Sequence, residues 1–296
     1  MKPGIYENLS NEEYHGDKDA VSKSGLDLIA KSPAHFKWAQ DNPRSETPAM
    51  QKGTLIHTMV LEPEKVGELY AVPPNDAPKR PSITQRQAKK PSDKTIAAIE
   101  FWDRWEAENG GKILLGADLY EDAKRIVAAV HANPEAMRIM ERAIAVEQSV
   151  FAEEFETGAL CKCRPDILLD GPIYDLKTTS NAAANSFSYS VRSFRYHVQA
   201  AFYMDICRIA GIDVDQFGFI AVDTKDMPYQ CTVFHSLSDE AMEIGRQEYM
   251  NNLRLYAKCK ETDEWPGYPE SYDILELAGY AYDIVDIEPE QMAVNE

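Results

Sequence analysis

The spacing of hydrophobic residues divides this 296-residue chain into a helical first half and a second half that mixes strands with helices. Residues 21–40, VSKSGLDLIAKSPAHFKWAQ, predict two short helices. Ser22 or Ser24 is available as N-cap of the first, and Ser32-Pro33 breaks between them. Over 50–62, Leu55, Ile56, Met59 and Val60 fall at helical spacing, and Pro63 closes the helix. Two more amphipathic helices are predicted over 95–108 and 118–131. Residues 72–93 are rich in Pro, Lys, Arg, Gln and Ser, lack periodicity and predict a loop.

Beyond residue 142 the period shortens. Segments 143–155, 159–170 and 172–179 alternate apolar and polar positions, with turn signals at Thr157-Gly158 and Asp170-Gly171-Pro172. They predict three consecutive strands in a meander. A helix over 195–210, strands over 216–224 and 229–236, and a helix over 239–260 follow. No internal repeat and no low-complexity segment is visible. The expected fold class is α/β, a central mixed sheet flanked by helices. The expected organisation is one domain over 1–262, with a helical N-terminal region over 1–142 and an α/β core over 143–262, then an acidic tail over 263–296.

Apolar content of 44% and charged content of 27% are ordinary for a globular protein. No window approaches the ~18 apolar residues of a membrane span, and the N-terminus lacks the apolar region of a secretory signal. No membrane partner is expected. Five cysteines, an odd number, fit a reducing compartment, so a cytoplasmic location is expected. The net charge of −18 argues at first against nucleic acid, whose phosphates require Lys and Arg. Its distribution changes that picture. Residues 263–296 hold ten acidic residues and no basic one, more than half of the net charge. Lys79 to Lys94 holds six basic residues and one acidic. A local basic surface is compatible with such segregation, as is simple solvation of both stretches.

The candidate chemistry lies in RPDILLDGPIYDLKTT, residues 164–179. Asp175 and Lys177 are two apart on a predicted strand and so share a face. Asp166 follows Pro165 on the preceding predicted strand and can reach the same face. Two carboxylates suit a hard divalent cation, Mg²⁺ or Mn²⁺. A lysine beside them can position an attacking water and offset charge on a phosphoryl oxygen. An Asp-x-Lys alone is more often a surface ion pair of little worth. Further candidates are His57 on an apolar helix, Glu147 on the first strand of the meander, and Gln199 and Tyr203, one helical turn apart.

In their order, His57, Glu147, Pro165-Asp166, Asp175-Leu176-Lys177, Gln199 and Tyr203 resemble the PD-(D/E)xK nucleases, and among them the RecB-like branch. The stretches EEYHGDKDAVSKSGLDLIAKSPAHFKW, GTLIHTMVLEPEKV and CKCRPDIL are similar to the nuclease portion of the exonuclease VIII (RecE) family and its phage relatives. The resemblance spans roughly residues 5–275. It implies a restriction-endonuclease-like core and a Mg²⁺-dependent exodeoxyribonuclease acting on the ends of linear double-stranded DNA. It also implies 5′-to-3′ degradation that leaves 3′ single-stranded tails, a single-strand annealing protein as partner in recombination, and a ring-shaped homo-oligomer such as a tetramer. A ring reconciles an acidic chain with DNA, because only its lining has to be basic. By position, the resemblance makes Asp166, Asp175 and the Leu176 backbone carbonyl metal ligands, with Glu147 completing the site, His57 either binding the metal or standing just behind its ligands, and Lys177 positioning water. Gln199 and Tyr203 would hold DNA or brace the site, and Ser22, Ser24, Lys52, Arg80 and Arg86 are further DNA-binding candidates.

Cys161, Cys163, Cys207, Cys231 and Cys259 form no Cys-x-x-Cys, so neither an iron–sulfur cluster nor structural zinc is expected. No Gly-x-x-x-x-Gly-Lys occurs, so no ATP requirement is expected. The competing expectations are a non-catalytic DNA-end or recombination-complex binding protein on the same fold, an endonuclease of the same superfamily, and an acidic mimic of DNA.

Overall fold

Polar caps and prolines set where the helices begin. The computed structural model describes residues 1–42, 47–74 and 76–271. After β1 (Gly4–Tyr6), α1 (Asn11–Gly16) starts at a capping box between Ser10 and Glu13. Ser22 caps α2 (Lys23–Lys31), and Ser32 caps α3 (Pro33–Asp41) with Pro33 in its first turn. Thr47 caps α4 (Pro48–Leu61), after which Pro63 opens a 3₁₀ turn into α5 (Val66–Leu69). β2 (Tyr70–Ala71) is followed by α6 (Ile83–Arg86), α7 (Asp93–Glu108) and β3 (Ile113–Leu114), which pairs in parallel with β2. Then come α8 (Ala117–His131), α9 (Pro134–Glu141), β4 (Ala145–Val146), β5 (Ser149–Glu153), β6 (Leu160–Cys163), β7 (Ile167–Leu168) and β8 (Gly171–Thr179). The last described elements are α10 (Ala184–Ser193), α11 (Tyr196–Ile209), β9 (Val214–Asp223), β10 (Cys231–Phe234) and α12 (Asp239–Thr262). Residues 272–296 of the acidic tail lie outside the described residues. No helix among the described residues is long and apolar enough to cross a membrane.

The main sheet has five strands in the order β10-β9-β8-β7-β4, and it is mixed, as expected from the sequence. Only β8 and β9 run parallel, joined through α10 and α11; the other pairs are antiparallel. β8 lies at its centre with neighbours on both sides. Its alternation explains its burial on both faces. Ile173 joins a cluster with Phe217, Phe219, Val198 and Phe202, while Tyr174 and Leu176 join a second with Leu55, Ile56, Ile126 and Val130. Helices α11 and α12 therefore cover one face, and α4 and α8 the other. The α11–α12 crossing is close: a Cβ on Gly245 would lie 2.3 Å from the His197 carbonyl oxygen.

The predicted meander needs correction. The segment 143–155 divides into β4 and β5, and the segment 159–170 into β6 and β7. β4 and β7 belong to the main sheet, whereas β5 and β6 form a separate antiparallel sheet with β1. The hairpin thus turns a corner between two sheets. Pro165 has no N–H for the ladder, and Glu147 takes a left-handed backbone, φ 50°. One hydrogen bond, Glu147 N–H to the Asp166 carbonyl at 3.1 Å, ties the corner together. Glu147 and Asp166 consequently lie at a bend and not on strands.

The N-terminal region is tied into this core. β1 pairs with β5, and Val21 bridges to Cys161. Helices α1, α5, α9 and α10 went unread in the sequence, and the predicted loop over 72–93 contains the single turn α6 and ends at the first residue of α7.

Candidate active site

β8 places Asp175 and Lys177 side by side on the face covered by α11. Asp175 is 2% exposed. Lys177 Nζ stands 2.6 Å from Asp175 Oδ2, but it directs its hydrogen bond to Gln199 Oε1 at 2.9 Å. Gln199 Nε2 in turn donates to Asp175 Oδ1. Asp175 is thus held on both oxygens, Oδ1 by the Gln199 amide and Oδ2 by the Lys177 ammonium. Burial by itself would lower the Lys177 pKa; the Asp175 and Asp166 carboxylates outweigh it and hold it above the ordinary lysine value. Lys177 is a cation here, not a base. Its ammonium also lies 4.5 Å from the centroid of the Tyr196 ring.

The corner brings the second acidic group alongside. Asp166 is 8% exposed, and its Oδ2 accepts the Leu176 N–H at 2.7 Å. His57, on α4, puts Nδ1 3.6 Å from the same oxygen. Burial pushes the His57 pKa down to about 4, with Lys177 adding to it against Asp175 and the Leu176 backbone, so the ring is neutral at pH 7. That contact is accordingly not an ion pair. His57, Glu147 and Asp166 each present a ligand atom, all within 4.8 Å of one another. Burial pushes Glu147 up to about 7, with Glu62 and Asp175 repelling it and Arg164 opposing. Burial, Asp175 and Glu147 likewise push Asp166 well above the carboxylate range, against Lys177 and the Leu176 N–H.

These observations fit a divalent cation. The buried carboxyls of Asp166 and Asp175, with Glu147 repelling both and a neutral imidazole beside them, form a donor set that a divalent cation would neutralise. Oxygen donors with one imidazole suit Mg²⁺ or Mn²⁺ better than a soft metal. The cysteines do not compete. Cys161, Cys163, Cys207 and Cys259 are buried free thiols, and burial raises the pKa of Cys161, Cys163 and Cys259.

Residues 22–278 match a family described as a PDDEXK-like domain of unknown function (DUF3799). The chain belongs to this family. Pro165-Asp166 and Asp175-Leu176-Lys177 supply the letters of a PDDEXK pattern, and the fold around them is the expected mixed α/β core. A candidate exonuclease from Eubacterium rectale has a similar structure, with a TM-score of 0.57 at 15% identity, over 96% of this chain and 100% of its own. At that identity the likeness is one of fold. An alkaline exonuclease from Laribacter hongkongensis aligns over 61% of this chain and 88% of its own at 16% identity, with a TM-score of only 0.28. No curated protein matches the sequence.

The other candidates separate. Gln199 reaches the site, where it braces Asp175 against Lys177. Tyr203, one turn further along α11, packs on the core and meets Phe217 edge-on at 6.1 Å. Ser22 is the N-cap of α2, accepting from Gly25 N–H, and shares a 3.0 Å hydrogen bond with Ser24. Lys52 pairs with Asp122 at 2.7 Å and donates to the Thr224 carbonyl at 3.2 Å, which ties α4 to α8. Arg80 pairs with Glu106 and lies over the Trp102 ring, and Arg86 pairs with Asp103 at 2.6 Å. The partners of both arginines belong to α7, and neither touches the acidic cluster.

Several neighbours of the site escaped the sequence reading. Arg164 donates to Ser149, Asn11 and the Leu9 carbonyl and stacks on Tyr14, fastening the N-terminal segment to the corner beside Glu147. Lys23 donates to the Phe194 carbonyl at 2.8 Å and pairs with Asp27, which also holds Arg195 at 2.9 Å. For Tyr196 a signal was available, since it precedes Gln199 by three helical positions and so shares its face.

Proposed function

We propose that this chain is a divalent-metal-dependent nuclease that hydrolyses phosphodiester bonds. The observation that carries the reading is the meeting of His57 from α4 and of Glu147 and Asp166 at the corner with Asp175 and Lys177 on β8, braced by Gln199 from α11. His57, Glu147, Asp166 and Asp175 would hold the cation, with the Leu176 carbonyl adjacent. A bound Mg²⁺ or Mn²⁺ supplies Lewis acidity toward a phosphoryl group and toward water. The chain's own residues do the rest. Lys177, kept protonated, places positive charge where negative charge develops on the phosphoryl oxygens. Gln199 fixes Lys177 and Asp175 relative to each other, so that little reorganisation is needed when substrate arrives. Neutral His57 can offer a ring nitrogen without first losing a proton.

At finer grain, we read the activity as exodeoxyribonuclease action on linear double-stranded DNA ends, proceeding 5′-to-3′ and leaving 3′ tails for an annealing protein. That reading, a ring-shaped oligomer and a cytoplasmic location rest on the RecE resemblance and the reading of composition. The test uses linear duplex with 5′-phosphate ends and a closed circle of the same sequence, each with Mg²⁺ or EDTA. Loss of the linear duplex alone, only with metal, supports the exonuclease, and end labels assign its polarity. Cutting of the circle would replace it by an endonuclease. Binding without cleavage of either would make the chain an end-binding protein.

A further inference from the structure

Phe194 presents a 61% exposed phenyl ring at the junction between α10 and α11. Two ring contacts connect it with the lysine of the site. Phe194 stacks on Tyr196, with centroids 5.7 Å apart and planes at 27°, and Lys177 Nζ lies 4.5 Å from the Tyr196 centroid. The backbone that presents the ring is anchored on both sides. The Phe194 carbonyl accepts from Lys23 Nζ at 2.8 Å. Arg195, the next residue, takes the left-handed conformation, φ 56°, and is held by Asp27 at 2.9 Å and Glu248 at 2.5 Å. A non-glycine residue in that region persists only where its surroundings over-determine it. Cations stand close by, Lys23 and Arg195 sharing the Asp27 carboxylate. Lys23 lies close enough to Lys177 and Arg195 for their charges to add to burial in depressing its pKa, against Asp27. Arg192 and Arg195 line a cleft of about 550 Å³ between α10, α11 and α12.

We propose that Phe194 is a stacking platform for a nucleobase in an unpaired nucleotide next to the phosphate that faces Lys177. The inference rests on the nuclease reading and deepens it by naming the substrate feature that the site holds. An exposed aromatic ring set among cations is how proteins hold single strands without reading sequence, because every base offers a π-face. A base inside a duplex keeps its faces in the stack, so the ligand is an unpaired or frayed end nucleotide. The ring already stacked on Tyr196 is fixed before the base arrives, so less freedom is lost on binding.

The test is a binding measurement in EDTA, which separates stacking from cleavage. Duplex DNA carries 2-aminopurine in its terminal nucleotides, and its fluorescence is followed with wild type, Phe194→Ala and Phe194→Trp. Wild type and Phe194→Trp are expected to quench it, and Phe194→Ala is not. With Mg²⁺, Phe194→Ala is expected to raise KM for frayed ends by on the order of ten- to a hundredfold, with the effect on KM larger than that on kcat. Equal quenching by Phe194→Ala and wild type would overturn the platform. So would a lower oligomeric state of Phe194→Ala in light scattering, which would assign the ring to an interface between copies. Cleavage by wild type without quenching also defeats the platform alone. Quenching without cleavage leaves the platform standing and defeats the nuclease reading.

Discussion

Replacing Glu147 with glutamine removes a charge that the metal-free fold holds at a cost. The Glu147 carboxyl is pushed from 4.5 up to about 7, chiefly by burial. In the unfolded chain it loses its proton near ~4.3. Between these values the unfolded state binds fewer protons than the folded state, so stability falls as pH rises, and the loss is complete once pH passes about 7. At ~1.4 kcal/mol per pKa unit, the ionised carboxylate costs the metal-free fold on the order of 3 kcal/mol at pH 8. Glu147→Gln keeps the size of the side chain and the φ of 50° and removes the charge. In EDTA at pH 8 it is therefore expected to be more stable than wild type by about 3 kcal/mol, a gain that shrinks at pH 5. For a chain of this size that is a rise in Tm of several degrees, at about 2–4 °C per kcal/mol. A divalent cation reverses the order, because it binds wild type better and stabilises by mass action. Urea unfolding at pH 5 and pH 8, with and without Mg²⁺, reads all four states. A Glu147→Gln variant no more stable than wild type in EDTA at pH 8 would show that the fold holds the Glu147 carboxylate at no cost.

Further outcomes are expected elsewhere. Lys177→Met removes one half of a buried ion pair and should abolish cleavage while costing about 3 kcal/mol or more in urea unfolding; retained cleavage would remove Lys177 from the reaction. Gly245→Ala places a Cβ 2.3 Å from the His197 carbonyl and should destabilise the fold by about 1–3 kcal/mol despite alanine's better helix propensity, and an unchanged Tm would show that α12 can shift. Deleting residues 279–296 should leave cleavage present, because that stretch contributes none of the candidate site residues; a well-folded but inactive truncation would assign the tail a role in activity.

Legibility from sequence followed the length of each regular pattern. The central strand was readable because Ile173 to Lys177 alternates over a full strand, which put Asp175 and Lys177 on one face. α4 was readable from Leu55, Ile56, Met59 and Val60, and Pro63 marked its end. The corner was not. Each side of it holds only two residues of main-sheet strand, β4 and β7, so unbroken alternation concealed a change of sheet. That change places Glu147 and Asp166 at a bend. α10, ANSFSYSVRS, is poor in strong helix formers and takes its stability from packing, so periodicity alone did not reveal it. α9 carried a readable signal, Asn133 followed by Pro134, that its short length obscured. The charges of Lys79 to Lys94 left a basic surface and simple solvation both open, and the ion pairs of Arg80 and Arg86 with acids on α7 depend on a packing that the spacing does not reveal. The bracing of Asp175 by Gln199 joins residues far apart in the chain; alternation pointed to Asp175, and only the resemblance tied Gln199 to it.

The acids at the corner and on β8 are proposed to hold a divalent cation. Electron paramagnetic resonance of Mn²⁺, titrated into wild type and Asp166→Asn at pH 7.5, tests it most directly. Asp166→Asn keeps an oxygen able to accept the Leu176 N–H and removes the charge. Wild type is expected to bind Mn²⁺, and Asp166→Asn to bind it at least ~10-fold more weakly. Equal binding by the two proteins, or none by wild type, would contradict it.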